Sequence, residues 1–226
     1  ADIHFLETAV RLLDENPGAV LCSLGSWFVD ENGETLQKEY DRWTRAQRNY
    51  KKGYKVFRGS DYVAGNMYWR NYVYNASGVV FRKAGLDLLE ESPVFGMRYV
   101  GDWLFWTQLA LRGDVIEVYK KLNRYRKHSK SVTVEGHRMR LAISEEMDVT
   151  RYIETKVKVN GYDRLVRHGS YFKHILRTDA PCSIKQELFD KFAKYWGNGW
   201  FAYGVERLNK YLRTIAQYNE DIWHLA

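Results

Sequence analysis

The stretch that decides the fold is residues 4–29, HFLETAVRLLDENPGAVLCSLGSWFV. Apolar side chains at helical spacing predict an amphipathic helix over residues 4–15, which the turn-forming segment Asn16-Pro17-Gly18 ends. Residues 19–29 are apolar almost throughout and predict a strand that is buried on both faces. A helix followed by such a strand indicates an α/β fold.

The rest of the chain extends this pattern and then changes it. Up to residue 128 the sequence predicts helices over 60–72, 83–90 and 101–111 and extended segments over 79–81, 115–119 and 122–128. Beyond about residue 136 it predicts helices alone, over 138–156, 160–177, 183–195 and 200–217. The change in character predicts an α/β domain over residues 1–133 and a mainly α-helical region over 134–226.

Composition excludes several classes of protein. Of the 226 residues, 45% are hydrophobic and 28% are charged, so the chain is neither disordered nor low-complexity. Cys22 and Cys182 lie far apart, which argues against a disulfide framework or a zinc site and favours a reducing compartment. No apolar run approaches the ~20 residues that span a bilayer. We therefore expect a soluble, cytoplasmic protein that can still contact the inner face of a membrane.

The formal net charge of +7 is unevenly distributed. Residues 1–37 carry seven acidic side chains and one basic one, whereas residues 38–60 carry eight basic and two acidic ones among several aromatic rings. Such a stretch can bind phosphates and stack on rings. It is more commonly a solvated loop or helix face whose Lys and Arg stems cover apolar surface.

Two polar residues are open to a structural and a functional interpretation. Asp102 precedes a strongly apolar helix, where an acidic side chain complements the helix dipole. The same position at the mouth of an α/β element suits a catalytic carboxylate. His128 ends a basic extended segment, where it is either an exposed edge residue or a ligand for a metal or a diphosphate.

The order of several segments resembles the second half of a family 2 glycosyltransferase, an enzyme of the GT-A fold. The opening 33 residues resemble the part of that family that runs from an acidic motif through a helix and a buried strand to an acidic turn. The later segments are residues 75–83 (NASGVVFRK), 101–113 (GDWLFWTQLALRG), 122–128 (LNRYRKH) and 131–133 (SVT). The resemblance covers about residues 1–133, as an incomplete GT-A fold followed by the helical region.

The resemblance implies a role for each matching residue. Asp102 is implied to be the base that deprotonates the acceptor hydroxyl, next to Gly101 and Trp103, whose ring either stacks on a sugar or packs in the core. Asn75, Ser77 and Gly78 are implied to lie by the donor sugar and acceptor. Arg126 and His128 are implied to lie near the diphosphate and a divalent cation, Mn²⁺ or Mg²⁺. Asp2 is implied to be the last acid of a D-x-D metal-binding motif.

The implied reaction is non-processive transfer of a sugar, with inversion, from a nucleotide-diphospho-sugar donor to the hydroxyl of a saccharide or lipid-linked saccharide. The Q-x-x-R-W motif of processive synthases is absent from the sequence. The nucleotide-binding half of the family is also absent from these 226 residues, so we expect them to be inactive by themselves and active within a longer parent protein.

Two alternatives come from other classes. The net charge, residues 38–60 and the basic residues of the helical region fit a nucleic-acid-binding module, although no recognised nucleic-acid motif is present and the resemblance favours a different anion. The helical region also fits an accessory domain that binds a membrane surface without catalysis of its own.

Overall fold

The computed structural model describes residues 1–36, 52–73, 75–83, 96–127 and 142–223, the last nine of these for their backbone alone. The chain divides into two compact units, Ala1–Gly136 and His137–Ala226. The division falls three residues after the boundary predicted at residue 133.

The described part of the first unit alternates helices and strands. Its helices are α1 (Phe5–Glu15), α2 (Gly59–Tyr62) and α3 (Gly101–Ala110), and its strands are β1 (Ala19–Val29), β2 (Tyr54–Phe57), β3 (Val79–Phe81) and β4 (Asp114–Arg126). A π-helical turn, Val63–Met67, follows α2, and a 3-10 turn, Ala76–Gly78, precedes β3.

The four strands form one mixed sheet in the order β2-β4-β1-β3. The central pair, β1 and β4, is parallel, with Leu21 opposite Val115 and Val29 opposite Arg126. Both outer strands are antiparallel to their neighbours. The α/β class predicted from residues 4–29 is confirmed, since α1 and β1 begin and end within one residue of the predicted bounds.

Helices lie on both faces of this sheet. The buried face of α1 packs against apolar side chains of β1 and β4, in a cluster formed by Phe5, Ala9, Leu12, Leu13, Ala19, Cys22, Leu24, Ile116, Val118 and Leu122. Because successive side chains of a strand point to opposite faces, Glu117 lies on the other face of β4. There the Tyr62 hydroxyl of α2 donates to its buried carboxylate at 2.8 Å. The α3 helix contacts β1.

Arg82 fixes the end of β3 to the start of the sheet. Its Nη2 donates to the Leu13 carbonyl at 2.7 Å and its Nε donates to the Ala19 carbonyl at 3.0 Å. Carbonyls in the last turn of a helix have no partner within the helix, so a cation there is favourable. The contact holds β3, and with it the residues just before β3, against α1 and β1.

Three predictions about the elements of the first unit are wrong in detail. The helix predicted over 60–72 gives way to a π-helical turn after Tyr62, and that turn ends at Met67. The extended segments predicted over 115–119 and 122–128 are joined in one strand, β4, which ends at Arg126 and which pairing with β1 carries through register shifts. The sequence also predicts that Gly113 ends the helix over 101–111 as a left-handed glycine, yet it does not have that conformation. It is needed because a Cβ there would lie 2.5 Å from the Gly18 carbonyl oxygen.

Within its described residues the second unit contains helices and no strand, as predicted. Its helices are α4 (Ala142–Lys156), α5 (Gly161–Arg177), α6 (Cys182–Trp196) and α7 (Trp200–Trp223). Their core is an aromatic and aliphatic cluster of Ile143, Met147, Tyr171, Phe172, Ile175, Leu188 and Phe192.

A buried polar group lies beside that core. The Glu154 carboxylate contacts His168 Nε2 at 2.6 Å and accepts a hydrogen bond from Trp196 Nε1 at 2.9 Å. The imidazole of His168 stacks on the Trp196 ring at 4.3 Å between centroids. Since a buried carboxylate is stable only with such partners, this group fixes α4, α5 and α6 together.

Candidate functional site

Asp102 lies in the first turn of α3, where its carboxylate has two hydrogen-bond donors. The backbone N–H of Trp103 donates to Oδ1 at 2.7 Å, and Nδ2 of Asn71 donates to Oδ2 at 3.0 Å. The residue remains exposed to solvent. A carboxylate that is oriented by fixed donors and still open to solvent has the geometry that a general base requires.

The surroundings of Asp102 raise its pKa. The largest cause is partial burial, which removes water from the charged form, and the hydrogen bonds from Trp103 and Asn71 act in the opposite direction. A carboxylate with a raised pKa accepts a proton more readily than an ordinary aspartate at the same pH.

Replacing Asn71 with alanine should raise the pKa of Asp102 further. The amide of Asn71 stabilises the charged carboxylate, so its loss favours the protonated form. The measurement is a pH titration of the Asp102 carboxyl carbon by NMR in the 226-residue chain. The control is Asn32→Ala, in the turn after β1, which should leave that titration unchanged. Identical titrations in Asn71→Ala and the wild type would show that Asn71 does not position the carboxylate.

The two neighbours predicted with Asp102 differ in their surroundings. Gly101 is the first residue of α3 and is half-buried. Trp103 is only 3% exposed, and its Nε1 donates to the Met67 carbonyl at 2.9 Å. This position favours core packing, the alternative that the sequence left open for its ring, over stacking on a sugar.

Asn75, Ser77 and Gly78 form a second polar group together with residues of β1 and β4. Asn75 Oδ1 accepts from the backbone N–H of Ser77 at 3.1 Å and from its hydroxyl at 2.9 Å. Nδ2 of Asn123 lies 3.2 Å from the hydroxyl oxygens of both Ser26 and Ser77. A Cβ on Gly78 would lie 3.2 Å from the Leu24 carbonyl oxygen, so a larger residue would require a shift of a few tenths of an ångström between this turn and β1.

The segment from Asn71 to Gly78 connects the two polar groups. Asn71 contacts Asp102, whereas Ser77 contacts Asn123 on β4. The six residue steps from Asn71 to Ser77 span at most about 20 Å, and the 3-10 turn shortens that reach. Nδ2 of Asn75 is buried and has no hydrogen-bond partner among the described residues. It is therefore a buried donor that the described residues leave unsatisfied.

The residues predicted near the diphosphate and metal are only partly placed. Arg126 is exposed and its guanidinium donates to the Glu31 carbonyl, so it joins the end of β4 to the turn after β1. The backbone N–H of Asp2 donates to the Leu122 carbonyl at 2.8 Å, and its carboxylate accepts from the backbone N–H of His4. His128 lies outside the described residues.

Asp2 alone does not define a cation site. Mg²⁺ and Mn²⁺ take several oxygen ligands, and a single exposed carboxylate supplies too few. Among the residues that the structure describes, no group of three or more His, Cys, Asp or Glu side chains could hold a metal ion. The divalent cation therefore remains a prediction from the sequence.

Sequence reasoning missed three polar partners in the two groups. The resemblance implied no role for Asn71, Ser26 or Asn123, although Asn123 lies within segment 122–128 and Ser26 within the opening 33 residues, and their partners lie 31, 97 and 46 residues away along the chain. A signal was present for Ser26 and Asn123, because each is a polar residue within an otherwise buried strand. Asn71 had no such signal.

Several basic residues of the helical unit have acidic partners. Arg151 and Arg164 both lie within 4 Å of the Glu154 carboxylate, Arg167 lies 3.8 Å from Glu146, and Lys173 pairs with Glu206. These four belong to the basic set on which the nucleic-acid alternative depends. Most of the basic segment 38–60, on which that alternative also depends, lies outside the described residues.

Comparison with known proteins gives no family for the chain: neither a protein-family model nor a curated protein matches it.

Within the described residues, no helix is long and apolar enough to cross a membrane. The two cysteines are not bonded to each other, and burial raises the pKa of the Cys22 thiol to about 12.

Proposed function

We propose that the first unit is the acceptor side of an inverting, non-processive glycosyltransferase, with Asp102 as the general base. The strongest support is the geometry of the Asp102 carboxylate, which is oriented by two hydrogen-bond donors and open to solvent. Its pKa is also raised. The mixed sheet, with helices on both faces, is compatible with half of a GT-A fold. The donor is a nucleotide-diphospho-sugar and the acceptor is the hydroxyl of a saccharide or lipid-linked saccharide.

Asp102 acts on the acceptor in the proposed step. A hydroxyl is a poor nucleophile at neutral pH, so its proton passes to the Asp102 carboxylate as its oxygen attacks the anomeric carbon. The bond from that carbon to the diphosphate breaks on the opposite face, and its electron pair leaves with the nucleoside diphosphate. Attack from the opposite face inverts the configuration of the sugar.

The second polar group has a binding role in this proposal. The free Nδ2 of Asn75 donates to a hydroxyl or carbonyl of the bound sugar, and the contact of Ser77 with Asn123 keeps the turn in place. Arg126, at the end of β4, offers positive charge to the departing diphosphate. Stabilising the charge that develops on a leaving group is a major source of catalytic rate.

The test is a transfer assay on the longer parent protein that this proposal implies, with a panel of nucleotide sugars and saccharide acceptors. We expect release of a nucleoside diphosphate that requires acceptor and stops when divalent cations are chelated. NMR of the product should show the inverted anomeric configuration. Release that does not require acceptor, or a product of retained configuration, would refute the proposed mechanism.

A further inference from the structure

A closed set of contacts surrounds the Asp102 carboxylate. The backbone N–H of Trp103 donates to Oδ1, and the indole Nε1 of the same residue donates to the Met67 carbonyl at 2.9 Å. Four residues after Met67, the amide of Asn71 donates to Oδ2 of Asp102 at 3.0 Å. Trp103 therefore fixes both the carboxylate and the start of the segment that carries its second donor.

The amide of Asn71 is itself oriented by the segment around it. Its Oδ1 accepts a hydrogen bond from the backbone N–H of Val73 at 3.0 Å, so Nδ2 is the end that donates to the carboxylate. The backbone N–H of Tyr72 lies 3.5 Å from Sδ of Met67, which is fully buried. Residues 67–73 are thus tied to Met67, and the position of Asn71 depends on where Met67 lies.

The π-helical turn sets the position of Met67. Before this turn, the hydroxyl of the buried Tyr62 donates to the Glu117 carboxylate of β4 at 2.8 Å. Within it, the Tyr68 N–H donates to the Val63 carbonyl five residues back, whereas an α-helix would use the carbonyl four residues back. The turn therefore holds one residue more than an α-helical turn between two fixed points, Tyr62 and Met67.

An α-helical turn could not meet both fixed points. Removing one residue from a helix rotates the residues that follow by about 100° and draws them back by about 1.5 Å. With Tyr62 held in place, that displacement would carry Met67 away from the Trp103 indole. Asn71 would move with Met67 and lose its contact with the carboxylate. Single π-helical turns of this kind are frequent at functional sites.

We propose that the extra residue of the π-helical turn is a positioning element, which places the Asn71 amide on the Asp102 carboxylate. Gly65 is the residue of the turn best suited to a test. It is exposed, and no described atom beyond the backbone of its own turn lies within 4 Å of a Cβ built there. The inference rests on the proposed role of Asp102, but its first measurement is a titration that needs no substrate. Failure of the transfer reaction and failure of this positioning are therefore distinguishable.

The test is deletion of Gly65 in the 226-residue chain, followed by NMR titration of the Asp102 carboxyl carbon. We expect the pKa of Asp102 to rise, because the deletion withdraws the Asn71 donor that stabilises the charged carboxylate. The rise should match that of Asn71→Ala, and the deletion should add nothing in a chain that already carries Asn71→Ala. In the longer parent protein that the proposed function implies, kcat should fall about 10²-fold with donor affinity unchanged, because the base leaves its productive geometry.

The matched control is Gly65→Ala, which keeps the number of residues in the turn and should titrate like the wild type. A deletion variant that titrates like the wild type would overturn the proposal. So would a rise in the pKa of Asp102 that the deletion produces equally in the Asn71→Ala chain, because the effect would then not pass through Asn71.

A second variant serves if the deletion prevents folding, which circular dichroism would detect. Trp103→Phe keeps an aromatic ring in the buried position and removes the indole donor to Met67. It should also raise the pKa of Asp102, and again only while Asn71 is present. An unchanged titration in Trp103→Phe would show that the position of Met67 does not control Asn71, which would refute the proposed role of the turn.

Discussion

Replacing Asp102 with asparagine is expected to lower kcat for the proposed transfer by about 10²–10⁴-fold while nucleotide-sugar binding changes little. Asparagine keeps the shape of the side chain, and its carbonyl oxygen can still accept the hydrogen bond from Asn71 or from Trp103. It cannot accept a proton from the acceptor. The measurement is steady-state transfer together with donor affinity, both in the longer parent protein that the proposal implies.

The same substitution should not destabilise the fold. Burial raises the pKa of Asp102, so the folded state favours the protonated carboxyl, and the charged form at neutral pH reduces folding stability. This loss develops as pH rises from the ordinary pKa of aspartate through the raised one, and it is absent below both. The Asp102→Asn chain should therefore unfold at the same or a higher denaturant concentration than the wild type at neutral pH.

The control for Asp102→Asn is Asp61→Asn, which removes another exposed acid from the first turn of a helix in the same unit. Near-normal transfer is expected from it. If Asp102→Asn also retained near-normal turnover, Asp102 would be only an acid that complements the dipole of α3. A loss of activity in Asp102→Asn that accompanied unfolding would equally contradict the catalytic role.

The helices and strands that could be predicted from the sequence are those with a clear hydrophobic pattern within their own residues. The helix of residues 4–15 and the four helices of the second unit show helical periodicity over ten or more residues, and the strand of residues 19–29 is a continuous apolar run. Strand β2 was missed because Tyr54–Phe57 is short and follows a run of basic residues. Residues 54–57 form a strand because they pair with β4, and their own sequence carries no pattern that indicates this pairing.

The helix predicted from Ser60 failed for a tertiary reason. Its pattern continues to residue 72, yet the π-helical turn ends at Met67, whose carbonyl accepts a hydrogen bond from the buried Trp103 indole. The chain then turns so that Asn71 reaches Asp102. Of the residues around the Asp102 carboxylate, the sequence therefore singled out Asp102 itself, whose position before an apolar helix is local. Its surroundings arise from contacts between distant segments, which periodicity does not encode.

Replacing Gly169 with alanine should destabilise the second unit by about 2–3 kcal/mol, the upper part of the range for overpacking a tight core. A Cβ at Gly169 would lie 2.1 Å from the carbonyl oxygen of Ala202 and 2.7 Å from Cβ of Glu206. The first of these is backbone, so α5 and α7 must separate to admit the methyl group. The separation also strains the ion pair between Lys173 and Glu206. This cost exceeds the helix-propensity gain of about 1 kcal/mol from replacing glycine.

Gly204→Ala on α7 is the matched control, because it makes the same chemical change within a helix where nothing lies within 4 Å of the new Cβ. It should stabilise the unit by about 0.5–1 kcal/mol. Urea unfolding followed by circular dichroism measures both effects, and hydrogen exchange of the α7 amides localises them. Equal stabilisation by the two substitutions would mean that α7 does not pack closely on Gly169. The two substitutions should change the free energy of unfolding in opposite directions. Both glycines are helical, but only Gly169 faces the backbone of another helix, at the Ala202 carbonyl.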